Sequence, residues 1–130
     1  MADVSFNPPC ILLVEDDAIS RYATGRILEA HGWRVVYACS AEEALHRLDD
    51  RTSGIDVLLT DIHLSGRDGI DLVSTACTDD PSLKAVLVTG YSDLTLPWPT
   101  LMKPFTDTHL LRVLHSVLGL KAGAQSSAEV

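Results

Sequence analysis

The stretch Ile55-Asp56-Val57-Leu58-Leu59-Thr60-Asp61 constrains the fold more than any other. An apolar run from Val57 to Leu59 passes through one polar residue and stops at a carboxylate. Such a run reads as a strand buried on both faces, with Asp61 just past its carboxyl end. Three other apolar runs end in the same manner. Ile11 to Val14 leads into Glu15-Asp16-Asp17, Val86 to Val88 into Thr89-Gly90, and Leu101-Met102 into Lys103-Pro104. Ligands of an open parallel sheet bind outside the carboxyl ends of its strands. Parallel neighbours of this kind would bring carboxylates, a hydroxyl and an ammonium to one spot.

Between these runs lie helical patterns. After the first strand, Asp17 or a neighbour can cap a helix. Its period-3.6 face is Ile19, Tyr22, Ala23, Ile27, Leu28 and Ala30, and Gly32 is placed to end it. Val35 to Cys39 reads as the second strand. Ser40-Ala41-Glu42-Glu43 fits a capping box, followed by a short helix that buries Ala44, Leu45 and Leu48. Asp49 to Gly54 is a turn before the Asp61 strand. Leu64 to Asp68 is a loop, and Ile70, Leu72, Val73 and Ala76 support a third helix, closed off by Pro81. Lys84 to Val88 is the fourth strand. Gly90 to Pro99 contains Pro97 as well and is too broken for a stable helix. A short strand, Thr100 to Met102, follows it. Thr106 can then cap a last helix with Leu110, Leu111, Val113, Leu114, Val117 and Leu118 as its stripe.

Strand and helix thus alternate with one helix missing, which implies parallel strands joined by right-handed crossovers. The expected organisation is one α/β domain over residues 10–120, with loose tails at 1–9 and 121–130. A length of 130 residues suffices for one core. A formal charge of −8 argues against a nucleic-acid surface, and no apolar run is long enough for a membrane span. The N-terminus lacks the basic-then-apolar pattern of a leader. Cys10, Cys39 and Cys77 are scattered, as expected of reduced, mostly buried thiols in a cytoplasmic protein.

The expected constellation has a definite chemistry. Glu15, Asp16 and Asp61 would crowd like charges, which is costly unless a cation sits among them. Oxygen ligands without His or Cys suit Mg²⁺ or Mn²⁺. Lys103 can hold a phosphoryl oxygen and the Thr89 hydroxyl can donate to another. Asp61 among such groups is equipped to accept a phosphoryl group in line.

These motifs resemble the two-component response-regulator receiver domain. The matching residues are Ile11 to Asp17, Leu58 to Asp61 with Gly69 downstream, Val86 to Gly90, and Lys103-Pro104-Phe105. The resemblance spans nearly everything from Cys10 to Leu118. It implies a doubly wound, flavodoxin-like sheet of five parallel strands in the order 2-1-3-4-5. It implies Asp61 as the phosphorylated aspartate, Asp16 as the main carboxylate ligand of Mg²⁺, Glu15 beside it through water, and the backbone carbonyl of His63 as a further ligand. Thr89 would be the switch hydroxyl and Lys103 the phosphoryl-pairing cation, with a cis bond before Pro104. The implied donor is a histidine kinase or histidine phosphotransfer protein, and the implied state a monomer or a phosphorylation-dependent dimer.

Three departures stand out. Glu15 replaces the commoner Asp. Leu64-Ser65 stands where Met-Pro is usual, a change expected to have little effect on the chemistry. Only fourteen positions separate Thr89 from Lys103, short by about two helical turns (~3.6 residues each), so the family's fourth helix is expected to be truncated or absent. Thr100 also occupies the usual place of a switching Tyr or Phe. A subgroup of single-domain receivers with a Thr-Gly-Tyr motif is similar, and Thr89-Gly90-Tyr91 fits it, so Tyr91 is a candidate for the moving aromatic. Leu94, Leu96 and Trp98 either give this segment a switchable partner-binding surface or fold back over the core.

The functional expectation is a phosphoacceptor module of a phosphorelay. It would catalyse its own phosphorylation and hydrolysis and, with no output domain expected, act through a downstream protein or as a phosphate sink. Two alternatives compete. A Mg²⁺-dependent aspartyl phosphohydrolase needs a second carboxylate two residues after its nucleophile, where this chain has His63. A docking-only pseudo-receiver usually loses one key group, and here all are present.

Overall fold

The computed structural model describes residues 8–50, 54–90 and 95–119. Its elements are β1 (Cys10–Val14), α1 (Ala18–Ala30), β2 (Arg34–Ala38), α2 (Ala41–Asp49), β3 (Val57–Asp61), α3 (Gly69–Asp79), β4 (Lys84–Thr89), β5 (Thr100–Met102) and α4 (Asp107–Val117). The strands form one parallel sheet in the order β2-β1-β3-β4-β5. Leu59 lies opposite Leu13 on one side and Val86 on the other. That register brings the carboxyl ends of β1, β3 and β4 to one edge.

The alternation of strand side chains divides the core into two layers. Ile11, Leu13, Val57, Leu59, Val86 and Val88 face the side where Leu28 of α1 and Leu110 and Leu114 of α4 pack. Leu12, Val14, Leu58, Ala85 and Leu87 face Ala44 of α2 and Leu72, Val73 and Ala76 of α3. Each fully buried leucine contributes roughly 1.5–3 kcal/mol, which explains why β1 and β3 are apolar on both faces.

Side-chain caps set the helix starts. Asp17 accepts from the Ser20 N–H at 2.8 Å, Asp68 from Ile70 at 2.7 Å, and Thr106 from His109 at 3.0 Å. Ser40 accepts from Glu43 at 3.1 Å. The Glu43 carboxylate reaches back to the Cys39 N–H at 2.8 Å, one residue before the capping position. Gly32, at φ +89°, closes α1. Its N–H bonds to Glu29 O and the Trp33 N–H to Leu28 O, a pairing that needs a left-handed residue between them.

The structure corrects several expectations. β2 runs one residue earlier than expected, and β4 extends to Thr89. Cys39 is exposed. On α1 the expected face is met only in its second half: Leu28 is buried and Ile27 half-buried, but Ile19 is 81% and Tyr22 63% exposed, and Gly25 is buried instead. Gly25 turns inward because the Tyr37 ring of β2 occupies the space a β-carbon would take. Arg21 takes the preceding turn, where its guanidinium reaches a backbone carbonyl.

Among the described residues, none between β4 and β5 is helical, in agreement with a truncated fourth helix of the family. Leu96 and Trp98 pack, half-buried, on the α2–α3 layer, so they fold back over the core. Tyr91 and Leu94, and with them the aromatic-switch expectation, lie outside the described residues. So do residues 1–7 and 120–130, on which the tails were expected. No helix among the described residues is long and apolar enough to cross a membrane.

The tightest backbone approach is at Gly69, whose N–H donates to Ile62 O at 2.7 Å. A β-carbon there would overlap the Asp61 carbonyl and stand 2.9 Å from Ile62 Cα. Gly69→Ala is therefore expected to destabilise the protein by at least about 2 kcal/mol in urea denaturation, by overpacking against backbone. Gly90→Ala, where nothing lies within 4 Å, is the control and should stay within about 0.5 kcal/mol of wild type.

Candidate functional site

Asp61 ends β3 and is 8% exposed. Its Oδ1 accepts from the His63 N–H at 2.8 Å and its Oδ2 from Lys103 Nζ at 2.6 Å. Lys103 follows β5, and its own N–H is tied to Thr89 O at 2.8 Å. The peptide bond from Lys103 to Pro104 is cis. Lys103 Nζ also lies 3.5 Å from Glu15 Oε1. Glu15, buried at the end of β1, accepts from the Asp17 N–H at 3.1 Å, and its carbonyl accepts from Arg21 Nη1 at 2.7 Å. Thr89 is buried at the end of β4, next to Val88, which pairs with Asp61.

The structure thus joins Glu15, Asp61 and Lys103 directly, with Asp16 and Thr89 on the flanking strand ends. His63 contributes its backbone N–H, and its side chain is exposed. Asp16 is exposed and accepts two bonds from Ser65 on Oδ2, from the N–H at 2.9 Å and from Oγ at 2.7 Å. Ser65 was expected to matter little, and Arg21 was not among the expected site residues. A hydroxyl in the short loop after Asp61 was the one available signal for Ser65, and nothing short of the fold could place Arg21.

Electrostatics follow from this packing. Burial pushes the Glu15 carboxyl up, and the nearby Asp61 charge adds to that, while the Asp17 N–H and Lys103 oppose it. Burial alone would lower the Lys103 ammonium, but the bond to Asp61 and the charges of Asp61 and Glu15 raise it above its ordinary value. Ser65 is the main cause that lowers the Asp16 carboxyl. Beside the charged groups a cleft of about 500 Å³ opens, walled by Leu13, Ile27 and Phe105 among others.

The donor set fits a hard divalent cation. Among the described residues no three acidic, thiol or imidazole side chains form a cage by themselves. Mg²⁺ does not need one, because it keeps several waters and binds through one or two carboxylates. Asp16 and Asp61 can supply those, and Glu15 can reach through water. Two buried carboxylates facing one ammonium leave negative charge that a cation would offset.

Comparison with known proteins places the chain. The family model of the response regulator receiver domain matches residues 11–115. The chain belongs to that family. It is 33% identical over 116 residues to the response regulator receiver protein CpdR of Brucella abortus, covering 83% of this chain and 95% of that protein. It is 36% identical over 83 residues to a cyclic di-GMP phosphodiesterase of Thermotoga maritima, covering 64% of this chain but only 22% of that enzyme. The crystal structure of a CheY-like receiver from Methanospirillum hungatei superposes with a TM-score of 0.78 at 29% identity, covering 86% of this chain and 94% of that one. The receiver of the hybrid histidine kinase CckA gives 0.74 at 29%, with coverages of 84% and 98%.

In this receiver, the raised Glu15 carboxyl means that the ionised form destabilises the metal-free fold. Above its folded-state pKa Glu15 is charged in both states and its burial costs stability. Below its unfolded-state pKa it is neutral in both and costs none. Glu15→Gln should therefore raise the Tm of the metal-free protein at neutral pH. The gap from wild type should close as pH falls through the carboxyl range, in thermal melts with EDTA present.

Proposed function

We propose that Asp61 accepts a phosphoryl group from a phosphohistidine on a histidine kinase or phosphotransfer protein. The observation that carries this reading is the Asp61–Lys103 pair, 2.6 Å apart at the carboxyl edge of the receiver sheet. A carboxylate oxygen of Asp61 attacks phosphorus, the N–P bond breaks, and the imidazole leaves with the electron pair. Lys103, with 40% of its side chain exposed, can move with the transferred charge from Oδ2 to a phosphoryl oxygen. The Thr89 hydroxyl donates to another oxygen and makes the new state distinguishable to a partner.

Asp16 and Asp61 would hold Mg²⁺ with the His63 carbonyl, and Glu15 would reach it through water. The ion supplies charge neutralisation for the transferring group and the attacking oxygen. Hydrolysis returns the module to rest: a water oxygen attacks phosphorus, the bond from phosphorus to the Asp61 oxygen breaks, and the carboxylate and inorganic phosphate separate.

Ile19 and Tyr22, exposed on α1 beside the site, suit docking of a helical phosphohistidine partner, whose apolar side chains they could meet. The similarity to the sensor kinase CckA of Brucella abortus, 30% over 83 residues, supports a kinase-linked relay. The reading places the protein in the cytoplasm, where such donors and Mg²⁺ are available. The phosphohydrolase alternative is not favoured, since His63 bonds Asp61 through its backbone and offers no carboxylate.

Incubation with acetyl phosphate and Mg²⁺ should add one phosphoryl mass, absent when the metal is chelated beforehand and absent from Asp61→Asn. A mass gain that persists in Asp61→Asn overturns the assignment. Lys103→Ala should slow phosphorylation about a hundredfold, measured by the same mass shift over time.

A further inference from the structure

The bonds between Ser65 and Asp16 join residues 49 positions apart. Both fall on the same oxygen, Oδ2, from a backbone N–H at 2.9 Å and a hydroxyl at 2.7 Å. An exposed aspartate on a loop has rotamer freedom, and a ligand that must be ordered before it can bind is a poor one. Two charge-assisted bonds to one oxygen fix the carboxylate plane and leave the other oxygen outside the reach of the serine.

The support is itself rigid. The Arg67 N–H bonds to Ser65 O at 3.0 Å, and Arg67 pairs with Asp71 on α3 at 2.7 Å. Asp68 caps α3, and Gly69 ties the far end of the loop to Ile62. The loop that carries Ser65 is therefore anchored at Asp61 and at the start of α3. On the other side, Arg21 holds the Glu15 carbonyl and Glu15 holds the Asp17 N–H, so the backbone around Asp16 is also fixed.

We infer that Ser65 is a positioning residue for the divalent cation: it commits Oδ2 of Asp16 to the loop after β3 and so presents Oδ1 to the ion beside Asp61. This inference rests on the metal-binding reading proposed above. It reverses the expectation that serine in place of the usual proline matters little. A proline at position 65 would have neither the N–H nor the hydroxyl that Asp16 uses. The arrangement is an outer-shell one, in which a residue that never touches the metal orients one that does.

The test is a Mg²⁺ titration of the whole chain followed by amide chemical shifts, with wild type, Ser65→Ala and Ser65→Thr. Ser65→Ala should weaken Mg²⁺ binding roughly tenfold, the low end for removal of an outer-shell partner because both residues are exposed. Ser65→Thr keeps the hydroxyl and should bind within about twofold of wild type. In an Asp16→Ala background the Ser65→Ala change should have no further effect, which separates orientation of Asp16 from any general loosening of the loop. Unchanged or tighter binding by Ser65→Ala overturns the inference, the latter showing that Ser65 competes with the ion. A loss that persists in the Asp16→Ala background overturns it as well. A wild-type protein that takes up no Mg²⁺ at millimolar concentration overturns the metal-binding reading and this inference together.

Discussion

Two buried carboxylates, Glu15 and Asp61, share one ammonium, and the arrangement of the sheet serves that sharing. Neither acid could be buried alone at neutral pH without a large cost. Lys103 reaches both because the β4–β5 pairing and its N–H bond to Thr89 hold the β5 end level with the β3 end. The balance is incomplete by one charge, and that incompleteness is useful. A fully neutralised cluster would have little attraction for a cation, and a less compensated one would burden the fold. The raised Glu15 carboxyl shows where the residual burden falls.

The same economy governs the backbone under the site. Gly69 lets α3 begin against the Asp61 carbonyl with no side chain between. The loop from Ile62 to Asp68 is thus closed at both ends and can hold the His63 N–H on Asp61 and the Ser65 donors on Asp16. Rigid supports on both sides of the acidic residues mean that little ordering remains to be done when an ion or phosphoryl group arrives. Stability lost to crowded charge and tight backbone contact is recovered in the two apolar layers on either side of β1 and β3.

Much of this was legible in the sequence because parallel strands are apolar on both faces and stop at polar residues. The runs ending at Glu15, Asp61, Thr89 and Lys103 could be aligned by their ends alone, and the observed register lines them up. Helix caps were equally plain at Asp17, Ser40 and Thr106, since a hydroxyl or carboxylate there bonds locally. The first half of the α1 face was not legible, although Leu28 was. Ile19 and Tyr22 carry the hydrophobic pattern, but the inward turns go to Gly25, under Tyr37, and to Arg21, over the Glu15 carbonyl. Both partners lie outside the helix, and helical periodicity contains no information about them. The Ser65–Asp16 bonds were hidden for the same reason, being made across 49 positions.

The short connection between β4 and β5 raises the question of what covers the sheet where its described residues form no helix. Leu96 and Trp98 answer it in part, packing half-buried on the layer formed with α2 and α3. Trp98 is a large, flat side chain that can cover on its own much of the area that several helical residues would share. The β5 strand then needs only three residues, with Leu101 fully buried as its anchor and Thr100 exposed. Thr100 leaves β5 itself no ring to swing inward, so in the proposed phosphorylated state β5 would respond through Thr89 and Lys103. The two are tied to each other by the Lys103 N–H to Thr89 O bond, so a pull on either one would reach β5 through that bond.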